Sequence, residues 1–78
     1  MITLYSTPTC YYCKKYEEVF KQNNIEYRKV DVASDPKLAE EMIQKSGQIS
    51  VPVLDINGEI VVGWNPRVVN NLLKLAPK

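Results

Sequence analysis

Ser6-Thr7-Pro8-Thr9-Cys10-Tyr11-Tyr12-Cys13 carries both cysteines of the 78-residue chain and marks the place where one hydrophobic pattern gives way to another. Before it, Ile2 to Tyr5 is a short apolar run of the kind that forms a buried strand. After it, Tyr12, Tyr16, Val19 and Phe20 recur at four, three and one, which is one face of a helix reaching to about Gln22. Pro8 and Thr9 interrupt the chain between the two. The stretch therefore reads as a strand, a tight loop and a helix start, with Cys10 at the cap and Cys13 one turn deeper.

That placement has chemical consequences. A thiol attacks a disulfide only as its thiolate, and an ordinary cysteine, with a pKa of about 8.5, is mostly protonated at neutral pH. A helix N-terminus offers unpaired N–H groups and roughly half a positive elementary charge, which favours the anion. Cys10 is thus expected to be the exposed, reactive sulfur and Cys13 its resolving partner. Lys14 and Lys15 add a small positive potential, screened by salt. The same spacing also occurs in zinc sites, but those usually take four Cys or His ligands, and this chain has two cysteines and no histidine. A purely structural disulfide is the remaining alternative, although so short a ring constrains little of the unfolded chain.

Working outward, Asn23-Asn24 stops the first helix, and Glu17 with Lys21 forms an expected i,i+4 pair on its wet side. Ile25 to Val32 reads as a second strand, with Ile25, Tyr27 and Lys29 on one face and Val30 and Val32 on the other. Ser34-Asp35-Pro36 starts a second helix, a capping side chain followed by proline. Leu38, Ala39, Met42 and Ile43 give its apolar stripe, and Gly47 ends it. Val51-Pro52 leads into a strand over Val53–Ile56. Asn57-Gly58 then turns the chain back as Glu59–Val62. A closing helix begins near Pro66, with Val69, Leu72, Leu73 and Ala76 on its apolar side. The order β-α-β-α-β-β-α predicts an α/β fold: a four-stranded mixed sheet with three helices, the first two strands parallel and the last two a hairpin. Reactive groups in such sheets lie beyond the carboxyl ends of the parallel strands, where Cys10 falls.

The 1–78 stretch is read as one domain, near the lower size limit for a single core. A net charge of +1 with no basic block gives no footprint for nucleic acid or a membrane surface. No basic start or long apolar run precedes the first strand, and none of the apolar segments approaches a membrane span. The expectation is a cytoplasmic monomer.

With Cys10-x-x-Cys13 after the first strand, Val51-Pro52 before the third and Gly63 after the fourth, the chain resembles the glutaredoxin family of the thioredoxin fold over essentially its whole length. It is most similar to the short glutaredoxin-like redoxins, including the NrdH type, because Gly63-Trp64-Asn65-Pro66 looks like their Gly-Phe-Arg-Pro segment. The resemblance implies that Cys10 attacks disulfides or glutathione mixed disulfides and that Cys13 resolves them, through a redox-active disulfide. It implies that Tyr12 lines the substrate groove, that the bond before Pro52 is cis, and that Val51 offers its backbone to a peptide or glutathione as an added strand. Gly63, Trp64 and Asn65 would form the rest of the substrate or glutathione surface, with Asn65 capping the last helix and helping to hold a carboxylate. Trp64 has a second reading, as packing between the hairpin and the last helix.

Two departures bear on partners. Tyr11 stands where the family has proline between the cysteines, so a redox potential cannot be carried over. Val62-Gly63-Trp64-Asn65-Pro66 lacks the acidic pair with which glutathione-binding members meet the γ-glutamyl ammonium. The implied partners are disulfide-containing proteins, with glutathione or a flavoprotein thioredoxin reductase as electron donor. No permanently bound cofactor or metal is expected, and glutathione would serve as a co-substrate. The alternative within the family is a glutathione-dependent dimer holding an iron–sulfur cluster at Cys10.

Overall fold

In a computed structural model, residues 2–74 are described. The order is β1 (Ile2–Ser6), α1 (Tyr11–Gln22), β2 (Arg28–Asp31), α2 (Pro36–Ser46), β3 (Val53–Ile56), β4 (Glu59–Val62) and α3 (Pro66–Leu73). The strands form one sheet in the order β2-β1-β3-β4; β1 and β2 are parallel and the other two pairings antiparallel. These are the expected elements in the expected order.

β1 is buried at all five positions because it has a strand on each edge and helices on each face. Its side chains alternate between two clusters, as a strand's must. Ile2 and Leu4 join Tyr16 and Phe20 of α1, Leu54 and Ile56 of β3, Val61 and Val69. Tyr5 joins Val30, Met42 and Val53 on the opposite face. α1 and α3 therefore cover one side of the sheet and α2 the other. Burying a side chain such as Phe20 contributes about 1.5–3 kcal/mol.

The helix ends follow local chemistry. At the end of α1, Asn24 is left-handed at φ 54. Its N–H donates to Lys21 at 3.3 Å, and the Ile25 N–H donates to Phe20 at 2.8 Å. This closed terminus takes up the Ile25 amide, so β2 begins at Arg28 rather than at Ile25. The expected facing still holds, with Ile25 and Tyr27 packed toward α1 and Val32 toward α2. The expected pairing of Glu17 with Lys21 is replaced by a tertiary one. Glu17 Oε1 accepts from Tyr27 Oη at 3.0 Å and pairs with Lys29 Nζ at 3.2 Å, one donor just before β2 and one within it.

α2 is capped by Asp35, whose Oδ1 accepts the Lys37 N–H at 2.9 Å, and it ends at Gly47 with φ 75. Of its predicted stripe, Met42 is buried, Leu38 and Ala39 are half-buried and Ile43 is exposed. The cluster that α2 covers is the smaller of the two, and Ile43 falls at its margin. Asn57 and Gly58 both have positive φ, 52 and 98, as the tight hairpin requires. In α3, Val69 is buried and Leu73 packs on the core, but Leu72 is exposed. Ala76 lies outside the described residues.

A polar clamp fixes α2 to the sheet. Tyr5 Oη donates to Glu41 Oε2 at 2.5 Å, and Lys45 Nζ reaches Asp55 Oδ2 at 2.8 Å. Burial, and then the Glu41 hydrogen bond, push the Tyr5 phenol up. The hydrogen bond to Asp55 pushes Lys45 up to about 12, and Asp55 is held below the usual carboxylate range chiefly by Lys45. The Asp55 contribution to stability is therefore present above its unfolded pKa of about 3.9 and lost as pH falls through its lower folded value. The Lys45 contribution is present below about 10.4 and lost only as pH rises through the folded value. Asp55→Asn should cost up to about 1 kcal/mol at neutral pH, because the pair is partly solvated. It should also flatten the loss of stability below about pH 4. Urea melts across that range check it; an acid limb identical to that of the parent protein would refute the assignment.

Candidate functional site

α1 starts on a sulfur. Cys10 is its N-cap, with extended backbone (φ −80, ψ 113), and its Sγ accepts the Cys13 N–H at 3.1 Å. That is the hydrogen bond an N-cap oxygen ordinarily receives. The sulfur therefore lies at the positive end of the helix, and no acidic residue stands in the first turn. Cys10 and Cys13 are joined in a disulfide, with Cα atoms 5.3 Å apart. Cys13 is 1% exposed, with its Sγ 3.9 Å from the Tyr5 carbonyl oxygen, whereas Cys10 is half-buried. The two sulfurs are inequivalent in the expected sense, the outer at the cap and the inner against β1.

Sheet register brings the second segment to the same edge. Tyr5 is opposite Val53, so Ser6-Thr7 and Val51-Pro52 leave the sheet side by side, where the Cys10 loop begins. The Val51–Pro52 peptide is cis, Pro52 is buried, and the half-buried Val51 side chain packs on the Tyr5 cluster. Among the described residues, neither the N–H nor the C=O of Val51 has a hydrogen-bond partner.

The Gly63-Trp64-Asn65 turn forms the third part. Gly63 is left-handed at φ 75, and its N–H donates to the Pro52 carbonyl at 2.9 Å. The Trp64 ring stacks on Tyr12 at 5.8 Å between centroids and 18° between planes, and lies tilted against Tyr16 at 4.7 Å. Lys15 Nζ stands 5.2 Å from the Tyr11 ring and 5.5 Å from the Trp64 ring. Trp64 thus packs on the core beside Tyr16 and stacks its ring on Tyr12. Tyr12 is correspondingly not on the buried face of α1, where its spacing placed it. Cys13, Tyr16 and Phe20 are the buried residues of that helix.

Asn65 occupies the N-cap position of α3 without capping it through its side chain. Its Nδ2 donates back to the Val62 carbonyl at 2.5 Å, closing the turn instead. The backbone N–H of Asn65 donates to Tyr16 Oη at 2.7 Å, and Tyr16 Oη donates to the Gly63 carbonyl at 2.5 Å. Tyr16 and Lys15 are the neighbours that sequence reading underweighted. Spacing from Cys13 puts Tyr16 on the inner face, but only the fold shows which backbone groups its hydroxyl meets. Burial pushes this phenol up, partly opposed by the Asn65 N–H, so it stays a donor at neutral pH.

Comparisons with known proteins agree with this geometry. The family model described as Glutaredoxin matches residues 2–61. A glutaredoxin-like 8.6 kDa protein of the rubredoxin operon of Clostridium pasteurianum is 47% identical over 74 residues, covering 95% of this chain and 99% of the relative. The crystal structure of the thioredoxin-like protein BC3987 superimposes with a TM-score of 0.86 at 29% identity, over 92% of this chain and 99% of that one. NrdH-redoxin from Escherichia coli, 21% identical, shares the fold with a TM-score of 0.77 over 99% of this chain and 96% of its own. The thioredoxin-like architecture is thereby established. Among the described residues, no helix is long and apolar enough to cross a membrane.

The turn itself is open to test. A Cβ built on Gly63 meets nothing within 4 Å, so the cost of Gly63→Ala is the left-handed backbone alone. We expect a loss of about 1–2 kcal/mol in urea melts. Gly63→Asn should cost clearly less, since asparagine visits that region more readily. Equal losses for both variants would point to a steric cause and contradict this account.

Proposed function

The chain belongs to the glutaredoxin family, and from that premise we propose that it is a dithiol reductase of protein disulfides, with Cys10 as nucleophile and Cys13 as resolving thiol. One observation carries the reading: Cys10 Sγ receives the N–H of Cys13 at the start of α1, where a thiolate would be stabilised. Starting from the reduced protein, the Cys10 thiolate attacks one sulfur of a substrate R–S–S–R′. A Cys10–S–S–R bond forms, and R′–S⁻ leaves and takes up a proton. Cys13 then gives up its proton and attacks Cys10 Sγ, so that the internal disulfide forms and R–S⁻ departs. Two electrons pass to the substrate, and the internal disulfide is the oxidised product.

Desolvation opposes early ionisation of the buried Cys13, which keeps the two roles distinct. Tyr12 and Trp64 give the bound segment an aromatic wall. The unpaired backbone groups of Val51 give it a strand edge to join. Electrons return from a second dithiol or from two glutathione molecules. Because the Gly63-Trp64-Asn65 turn offers no carboxylate to a γ-glutamyl ammonium, we place a flavoprotein thioredoxin reductase ahead of glutathione as donor.

Several measurements test this reading. Cys10→Ser should abolish disulfide reduction. Cys13→Ser should retain the first attack and accumulate a mixed disulfide, visible as a mass increase equal to one substrate chain. In the reduced protein, ultraviolet thiolate absorbance should titrate below the ordinary cysteine value of about 8.5. Cys10→Ser with undiminished turnover would overturn the proposal. Rates of reduction by glutathione and by thioredoxin reductase with NADPH decide the donor.

A further inference from the structure

The Tyr16 hydroxyl lies inside the protein between two backbone groups that flank Trp64. It donates to the Gly63 carbonyl and accepts from the Asn65 N–H, while its ring packs against Trp64 and Phe20. Ring burial alone does not call for tyrosine here. Phenylalanine would fill the same space without a hydroxyl, whose burial is costly unless it is bonded. Both hydrogen bonds instead reach the turn that holds Trp64, and the same residue, Gly63, donates its N–H to the Pro52 carbonyl. A continuous path of contacts therefore runs from the cysteine-bearing helix through Tyr16 Oη and Gly63 to the Val51-Pro52 segment.

We infer that Tyr16 is a positioning residue for the disulfide groove: its hydroxyl pins the Gly63-Trp64-Asn65 turn to α1 and so fixes Trp64 against Tyr12. Tyr16 touches no substrate; it acts through Trp64 and through the spacing between the turn and Val51-Pro52. The inference rests on the dithiol reductase reading for its effect on substrate, but its structural part is independent of it. Lys15, whose ammonium lies between the Tyr11 and Trp64 rings, supports the same stance of Trp64 from the solvent side.

Tyr16→Phe keeps the ring and removes only the clip. With a synthetic disulfide-bonded peptide as substrate and dithiothreitol as reductant, KM should rise roughly fivefold, as for loss of one to two hydrogen bonds, with kcat changed less than about twofold. Trp64 is the sole tryptophan, so its emission reads the turn directly and should move to longer wavelength. The Asn65 amide should exchange with solvent about tenfold faster, while the Phe20 amide in α1 does not. A folded variant with unchanged KM, emission and Asn65 exchange overturns the inference. If the variant does not fold, the wild-type Asn65 amide decides: protection of about a hundredfold supports the clip, and exchange at the unprotected rate refutes it. If the wild-type protein reduces no disulfide, the reductase reading fails. The emission and exchange measurements still decide the role of Tyr16.

Discussion

The enclosure of β1 is the constraint on which the rest depends. Five consecutive buried residues, with a parallel neighbour on one edge and an antiparallel one on the other, leave this strand no alternative register. A slip of one residue would exchange Leu4 and Tyr5 between the two clusters and pack each against the wrong helix. Once β1 is fixed, so is the point at which the chain leaves the sheet. The cysteine loop must emerge there, beside the segment that enters β3.

At that edge the protein places a sulfur where most helices have an oxygen. The amide of Cys13 needs an acceptor whether or not any chemistry is done, and Cys10 supplies it. The same contact that satisfies the helix also favours negative charge on the sulfur. Helix stability and the electrostatics at the sulfur therefore share one interaction. Cys13, one turn further in, is enclosed against β1 and, among the described residues, its Sγ meets no comparable donor. The two sulfurs differ because one faces the helix start and the other faces the core.

The remaining walls of the site are held largely by backbone groups. Pro52 and Gly63 are joined carbonyl to amide, and Gly63 and Asn65 are both bonded to a hydroxyl on α1. Such contacts have little conformational freedom, so the aromatic surface made by Tyr12 and Trp64 is held in place by the fold itself. Its outer face remains accessible, with Tyr12 45% exposed, and Lys15 Nζ stands over both the Trp64 and the neighbouring Tyr11 ring.

Local chemistry in the sequence was sufficient for the order and type of every element, and for the two cysteines at the head of a helix. Caps, primed turns and hydrophobic period act over a few residues, so Asp35-Pro36, Asn57-Gly58 and the run from Tyr16 to Phe20 could be read directly. The start of β2 could not, because it depends on the Ile25 amide being taken by Phe20. Nor could the partners of Glu17, Tyr27 just before β2 and Lys29 within it, ten and twelve residues away in the chain. Asn65 was legible as a cap position but not as a side chain turned back to Val62. Tyr16 was legible as a core residue, whereas the destination of its hydroxyl was not. By itself the sequence determined the order and type of the elements and where the paired cysteines lie along the chain. Tertiary structure alone decided which distant groups close around them, because a polar atom's partner is set by the packing of elements far apart in sequence.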